Sequence, residues 1–343
     1  MKKTFLSIAI VGIAGLMLVV SCQKSYSPVP HVIATPSLDE LFSGLKSDPE
    51  NFNVPAGEET ILYASQGTMI HFYPNSFKDA DGKIITSGTI NVKLIEMYRA
   101  GDMISNRATT MANGQLLQSG GQVNITATLS GTAVFPTTYG IAFKHGTSSS
   151  ASMSLFYGGT SNAATVATWT QSDTSRNGTV SSGTRNDTNS HNETSLFIFD
   201  SCTSFNWINC DCFHQSDSPK TTVSVILPDS TFNPTNTELF LVLPNITRHY
   251  NPNDTFTAVM SSVEQNLGRQ SYTVTTNTMN LISEGQTVIV PAGLNYQLIV
   301  MTNKNGTWYY YEQQGVIPHN GLVVTATLLQ TTQQNIKNQL SCL

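Results

Sequence analysis

Between Phe205 and His214 the chain reads Phe-Asn-Trp-Ile-Asn-Cys-Asp-Cys-Phe-His, so Cys210, Cys212 and His214 recur at alternate positions. Thiolates and imidazoles are the usual ligands of zinc, and neighbouring thiols also serve as redox centres or disulfides. Alternate residues of an extended strand share one face, which would aim all three side chains the same way. A rise of about 3.3 Å per residue nevertheless sets them about 7 Å apart. Tetrahedral zinc needs ligand atoms within about 4 Å of one another, so the spacing alone does not favour a metal clamp. Nothing around Cys-x-Cys has the βαβ pattern of a thioredoxin-type centre. What the sulfurs do therefore depends on the compartment.

The first residues address that. Met1-Lys2-Lys3 precedes an apolar run from Phe5 to Val20, the pattern of a secretory signal. Its ending, Val19-Val20-Ser21-Cys22, resembles the lipobox of bacterial lipoproteins, with Val19 where that motif most often has Leu. The resemblance implies a signal peptide over 1–21, a lipid on Cys22, and attachment to the outer membrane of the cell envelope. Each buried methylene of an acyl chain contributes about 0.8 kcal/mol, so a multiply acylated cysteine anchors firmly. Residues 22–36 are polar and proline-containing, as expected of a tether. They lack the acidic run that marks surface export in many Bacteroidota lipoproteins, which favours the periplasmic side. In oxidising surroundings Cys202, Cys210, Cys212 and Cys342 are expected to form at least one disulfide, ahead of buried free thiols and of a metal site. Four cysteines allow three connectivities, and the sequence does not choose among them.

Other candidate residues are scattered. Trp308, Tyr309, Tyr310 and Tyr311 alternate across a predicted strand, so one pair faces outward if only one face is covered. Outward rings could stack on sugars or on partner side chains; cross-strand aromatic packing is the simpler expectation. Asp229-Ser230-Thr231 resembles the O-glycosylation pattern of Bacteroidota and implies a glycan on Ser230. Asp79 and Asp81 precede Gly82, but an EF-type loop in that register would start at Phe77 and end at Gly88, neither of which ligates through its side chain. A hairpin turn is expected instead. Gly-x-Ser-x-Gly, His-Glu-x-x-His and a phosphate-binding glycine loop are all absent, and the seven histidines are dispersed. No catalytic residue, metal or cofactor is expected. Charged residues make up 11% of the chain and the net charge is −5, so nothing steers it to nucleic acid.

The elements around these residues read as all-β. Ser37 and Glu40 form a capping box ahead of the stripe Leu38, Leu41, Phe42 and Leu45, which predicts one short N-terminal helix. Period-two alternation follows at Ile70 and Phe72, at Ile90, Val92 and Leu94, and at Val123, Ile125 and Ala127. Residues 171–195 are almost entirely small and polar and are expected to be a flexible, disordered Ser/Thr/Asn-rich loop. Leu239–Leu243 predicts a buried strand, Asn305-Gly306 a tight hairpin, and Ile336 with Leu340 a short helix in the tail. The expected organisation is two β-sandwich-like domains in tandem. The first spans 37–170 with its leading helix, 196–215 is a connecting β-segment with the cysteines, 216–330 is an immunoglobulin-like domain, and 331–343 is a tail.

The run Gly67-Thr-Met-Ile-His-Phe-Tyr-Pro-Asn-Ser-Phe77, with Asp79, Gly82 and Gly88, resembles a β-domain of Bacteroidota lipoproteins. That domain is distantly similar to the β-sandwich of ankyrins and netrin receptors. Ala100-Gly-Asp-Met-Ile104, Thr109-Thr110, Gly114–Gly121 and the Trp207–Asp211 segment fit the same lipoproteins. The resemblance implies a domain for protein contacts and none of its motifs is catalytic. The expected function is thus a non-enzymatic envelope lipoprotein acting as an interaction or assembly module, held to the membrane by its lipid, with a protein or glycan partner. The alternative is a carbohydrate-binding lipoprotein associated with outer-membrane glycan uptake.

Overall fold

Alternating side chains build the architecture: Ile90, Val92 and Leu94 are sealed on one face of the strand Thr89–Met97 while Thr89, Asn91 and Lys93 point away. A computed structural model describes residues 37–112, 114–145, 153–160, 167–172, 181–186, 193–214, 216–248, 251–261, 271–273, 277–280, 282–283, 286–287 and 289–343. Cys22, the signal and the tether lie outside the described residues. The protein is all-β, with three short helices among the described residues.

One 13-stranded sheet runs through the chain. Its path is Ala167–Gln171, Ser154–Thr160, Asn206–Phe213, Gln115–Leu129, Asn251–Ser261, Thr237–Arg248, Asn295–Lys304, Thr307–Val316 and Leu329–Thr331. Thr89–Met97 joins it at the side, between Gln115–Leu129 and Glu50–Pro55. Two smaller sheets pack on it. One orders Ser181–Asn186, Glu193–Cys202, Tyr139–His145, Met69–Phe72 and Thr60–Tyr63. Between that sheet and the large one lies a core that includes Ile70, Phe72, Phe143, Ile125 and Cys210. The other smaller sheet is built around Lys220–Ile226 and closes a second core with Leu239, Leu241, Leu298 and Val300. Each fully buried aliphatic or aromatic chain contributes roughly 1.5–3 kcal/mol, so these two layers are a major apolar source of stability.

The large sheet is covered on its other face as well. Phe240 and Val242 alternate with Leu239, Leu241 and Leu243, and they enter a third core with Ile299, Met301, Trp169 and Trp207. Three helices close it: α1 (Leu38–Leu45), α2 (Ala100–Ser105) and α3 (Gln333–Leu340). The capping box of α1 is formed, with Glu40 N donating to Ser37 Oγ at 3.2 Å and Ser37 N donating to Glu40 Oε2 at 2.8 Å. Leu38, Leu41, Phe42 and Leu45 are its buried stripe. Thr332 caps α3, whose Ile336 and Leu340 are buried. A Cβ on Gly101 would overlap the carbonyl of Leu340, so α2 and α3 can approach this closely only with glycine there.

Several expectations change. Within 171–195, Ser181–Asn186 is a strand paired with Glu193–Ile198 rather than loop. A strand at the end of a sheet is held by backbone hydrogen bonds, so polar composition does not forbid it. The segment 196–215 is not a connector: Glu193–Cys202 belongs to the smaller sheet of the first sandwich and Asn206–Phe213 to the large sheet opposite it. The two sandwiches instead meet where Ser119 of the long strand pairs with Thr257, and residues 36–343 form one compact unit. In the second sandwich Leu322–Thr325 runs parallel to Val223–Ile226, a departure from an all-antiparallel immunoglobulin-like layout. The Asn305-Gly306 hairpin forms as expected, with φ of 54° and 82°, the left-handed pair of a type I′ turn.

Candidate functional site

The cysteine segment is a central strand, not an open site. Cys210 and Cys212 point into the first sandwich core, and His214 lies just past the strand's end at Phe213, its backbone N donating to Leu116 O at 2.8 Å. Burial pushes the Cys210 thiol well above the ordinary range, and Cys202, also in this core, up to about 12. A buried thiol held protonated is a poor nucleophile at neutral pH. Burial and the nearby Lys220 hold the His214 imidazole below its ordinary range, and both ring nitrogens lack a hydrogen-bond partner. No group of three or more metal-ligating side chains occurs among the described residues.

The expected disulfide is not formed: Cys202, Cys210, Cys212 and Cys342 are free thiols, the first three buried and Cys342 exposed. Two positions apart on an extended strand, Cys210 and Cys212 sit at about 6.6 Å, near the upper limit of disulfide geometry, with Cβ atoms side by side rather than facing. Cys212 Sγ instead donates to Gln118 Oε1 at 3.6 Å, and Cys342 Sγ donates to Asn338 O at 3.4 Å.

The opposite face of the same strand holds a polar cluster that sequence reading missed. Asn209 and Asp211 are fully buried. Asn209 Nδ2 donates to Asp211 Oδ2 at 2.5 Å, and Ser119 Oγ donates to Asn209 Oδ1 at 3.3 Å. Beside them Gln122 Nε2 donates to Thr109 O at 3.2 Å, and the Trp169 indole donates to the same carbonyl. Burial raises the Asp211 carboxyl well above the usual carboxylate range, and Asp211 Oδ1 has no hydrogen-bond partner among the described residues. The cause is local. Gly120 and Gly121 together oppose Cys210, a bulge in the long strand, and Gly121 has φ of 130°. A Cβ at Gly121 would strike the Tyr98 ring, and one at Gly120 would strike Met153 and the Cys210 carbonyl. The Ser-Gly-Gly triplet inside a long apolar alternation was the available clue.

A second buried charge cluster joins the helices to the second sandwich. Arg107 Nη2 lies 3.0 Å from Glu238 Oε2 and Arg107 Nη1 lies 2.6 Å from Asp39 Oδ1 of α1, while its guanidinium sits 4.1 Å above the Phe42 ring. At the rim of the first sandwich, Glu96 accepts from Gln66 N at 2.6 Å and Thr68 N at 2.8 Å, tying the large sheet to the turn before Met69–Phe72. These groups are structural clamps.

The aromatic stripe is packed on both sides. Tyr309 and Tyr311 lie against the second sandwich core, and Trp308 and Tyr310 against the helix layer. Phe232 meets Tyr309 edge-on at 5.4 Å, and Lys304 Nζ sits 4.5 Å over the Phe232 ring. This brings the Ser230 turn onto that strand. Ser230 is exposed, and Asp229 Oδ1 accepts from Thr231 N at 2.8 Å, which shapes the turn. His71 is half-buried on the outer face of its strand, 2.7 Å from Glu59 Oε1 and tilted against the Tyr73 ring at 4.5 Å.

The described residues include two surface clefts of about 450 Å³ each. One is lined by Pro244, Asn295, Tyr296, Gln297, Gln314, Gly315 and Val316. The other lies at one end of the first sandwich, between the Asp79–Gly82 turn, Phe135 and the loop Thr203–Asn206. Asp79 and Asp81 thus reappear as a wall of this cleft, with Asp79 Oδ1 accepting from Asp81 N and Lys83 N at 3.0 and 2.9 Å. No protein-family model matches the chain, and no curated protein matches it.

Proposed function

We propose that the chain is a non-enzymatic cell-envelope lipoprotein, tethered through a lipid on Cys22 at the periplasmic side of the outer membrane, whose β-layers form an interaction or assembly module. The observation that carries this reading is the strand Thr60–Tyr63. It ends the smaller sheet of the first sandwich among the described residues, and its outward side chains Ile61 and Tyr63 are 44% and 52% exposed. A terminal strand with exposed apolar side chains is a surface to which a partner strand adds. The buried thiols and acids support the same reading, because none of them opens into either cleft. The lipid is tested by metabolic labelling with an alkynyl fatty acid, which should mark the wild type and not Cys22→Ser. The module is tested by crosslinked pull-down from envelope membranes. A partner lost on Ile61→Lys/Tyr63→Lys with folding intact supports it; capture unchanged by that pair contradicts it.

A further inference from the structure

The cleft beside Phe135 has the chemistry of a sugar site. A pyranose offers an apolar C–H face and a rim of hydroxyls, so its binding sites pair an exposed ring with fixed planar acceptors and donors. Phe135 is 44% exposed and lines the cleft. Asp79, Asp81 and Asn206 line it too. Asp79 uses one oxygen to fix its own turn; the Asp81 carboxylate and the Asn206 amide make no hydrogen bond among the described residues. The volume of about 450 Å³ falls within the range of small-molecule sites.

The walls are held rigid before any ligand arrives. Phe205, at the base, packs against Tyr139 at 5.2 Å and against Phe72 and Phe77 at 6.3 Å. Tyr139 Oη donates to Ser204 O at 2.7 Å, and Thr203 N donates to Tyr157 Oη at 3.2 Å, so the Thr203–Asn206 loop is pinned from both layers. Lys78 pairs with Phe135 across the short ladder Phe77–Lys78/Phe135–Pro136, which fixes the ring at the mouth. Rigid walls lower the ordering cost of binding. Asn206 itself has φ of 69°, a conformation that asparagine tolerates better than other side-chain-bearing residues. The second cleft is poorer: Gln297 Nε2 is already bonded to Glu312, and the Tyr296 hydroxyl already accepts from Gln313.

We infer that this cleft binds a neutral pyranoside of one or two rings, with Phe135 as the stacking platform and Asp81, Asn206 and the free oxygen of Asp79 as hydroxyl partners. The inference goes beyond the interaction edge at Thr60–Tyr63 and assigns this cleft a ligand class of its own. The full chain in a sugar-free detergent is to be titrated with maltose, cellobiose, lactose and chitobiose by saturation-transfer NMR and calorimetry. At least one sugar should bind. Phe135→Ala should weaken it about tenfold or more, roughly 1.4 kcal/mol. Asp81→Asn should weaken it too, and Val323→Thr, exposed on a strand of the second sandwich, should leave it unchanged. No binding of any of the four, or binding indifferent to Phe135→Ala in a folded variant, would overturn the inference. So would saturable binding of calcium alone at the cleft with no sugar bound. Release of reducing monosaccharide in the same samples would instead overturn the non-enzymatic reading, which separates the two failures.

Discussion

The two faces of the long sheet are closed by different means. Toward the sandwiches, the cores are aliphatic and aromatic with a few thiols, and polar contacts such as Glu96 stay at the rim. Toward the helices, Phe240, Ile299 and Met301 share the layer with Arg107, Glu238, Asn209 and Asp211. An apolar layer loses stability in proportion to what is removed. A buried polar network fails when one member goes, because its partner stays desolvated and unpaired.

The largest effect should come from Arg107→Ala. It removes the cation that lies 3.0 Å from the buried Glu238 carboxylate and is expected to cost about 3–5 kcal/mol by chemical denaturation. Arg107→Met with Glu238→Leu should recover most of that loss; a double variant as unstable as the single would show that packing, not charge, sets the cost. Leu298→Ala, on the sandwich side, should cost about 2–5 kcal/mol according to how far the cavity collapses. A loss under 1 kcal/mol there would mean that this layer is loosely packed. At the helix edge Ser37→Ala removes the cap of α1 and should cost about 1 kcal/mol.

Asp211 sharpens the contrast through pH. Its carboxyl is held protonated well above the usual range by burial, whereas the unfolded chain ionises it near pH 4. Above about pH 4 the folded state therefore binds the extra proton, and stability falls as pH rises toward the folded pKa. Asp211→Asn should make the decline between pH 4 and 7 shallower in urea midpoints. An equally steep decline in the variant would place the proton elsewhere.

The elements with local rules were legible in the sequence. The capping box of α1, the Asn305-Gly306 hairpin and the alternation of Ile90, Val92 and Leu94 depend on neighbours a few residues away. The run Leu239–Leu243 announced burial on both sides but not what covers each, because that depends on segments as distant as α1 and α3. The same limit applied to Trp308–Tyr311, where alternation separated two pairs and could not say that both faces are covered. Arg107 and Glu238 meet only in the folded chain, so no spacing marked them. Cys210 and Cys212 were correctly placed on one face, but compartment chemistry pointed to a bond that strand geometry disfavours. Ser181–Asn186 escaped notice because an edge strand needs backbone partners rather than apolar side chains. The cleft is formed by Asp79, Phe135 and Asn206, which come from three separate stretches, and of the three only Asp79 was weighed as a ligand.

The sheet that serves both sandwiches, with its shared helix layer, implies that the two cores cannot come apart independently. All three tryptophans pack in the helix layer, Trp169 and Trp207 from strands beside the first sandwich and Trp308 from a strand of the second. Single-tryptophan variants followed through urea unfolding should give one midpoint, coincident with far-ultraviolet circular dichroism. Two resolved transitions, with the Trp308 reporter separating from Trp207, would mean that the sandwiches fold as separate bodies and would contradict the account.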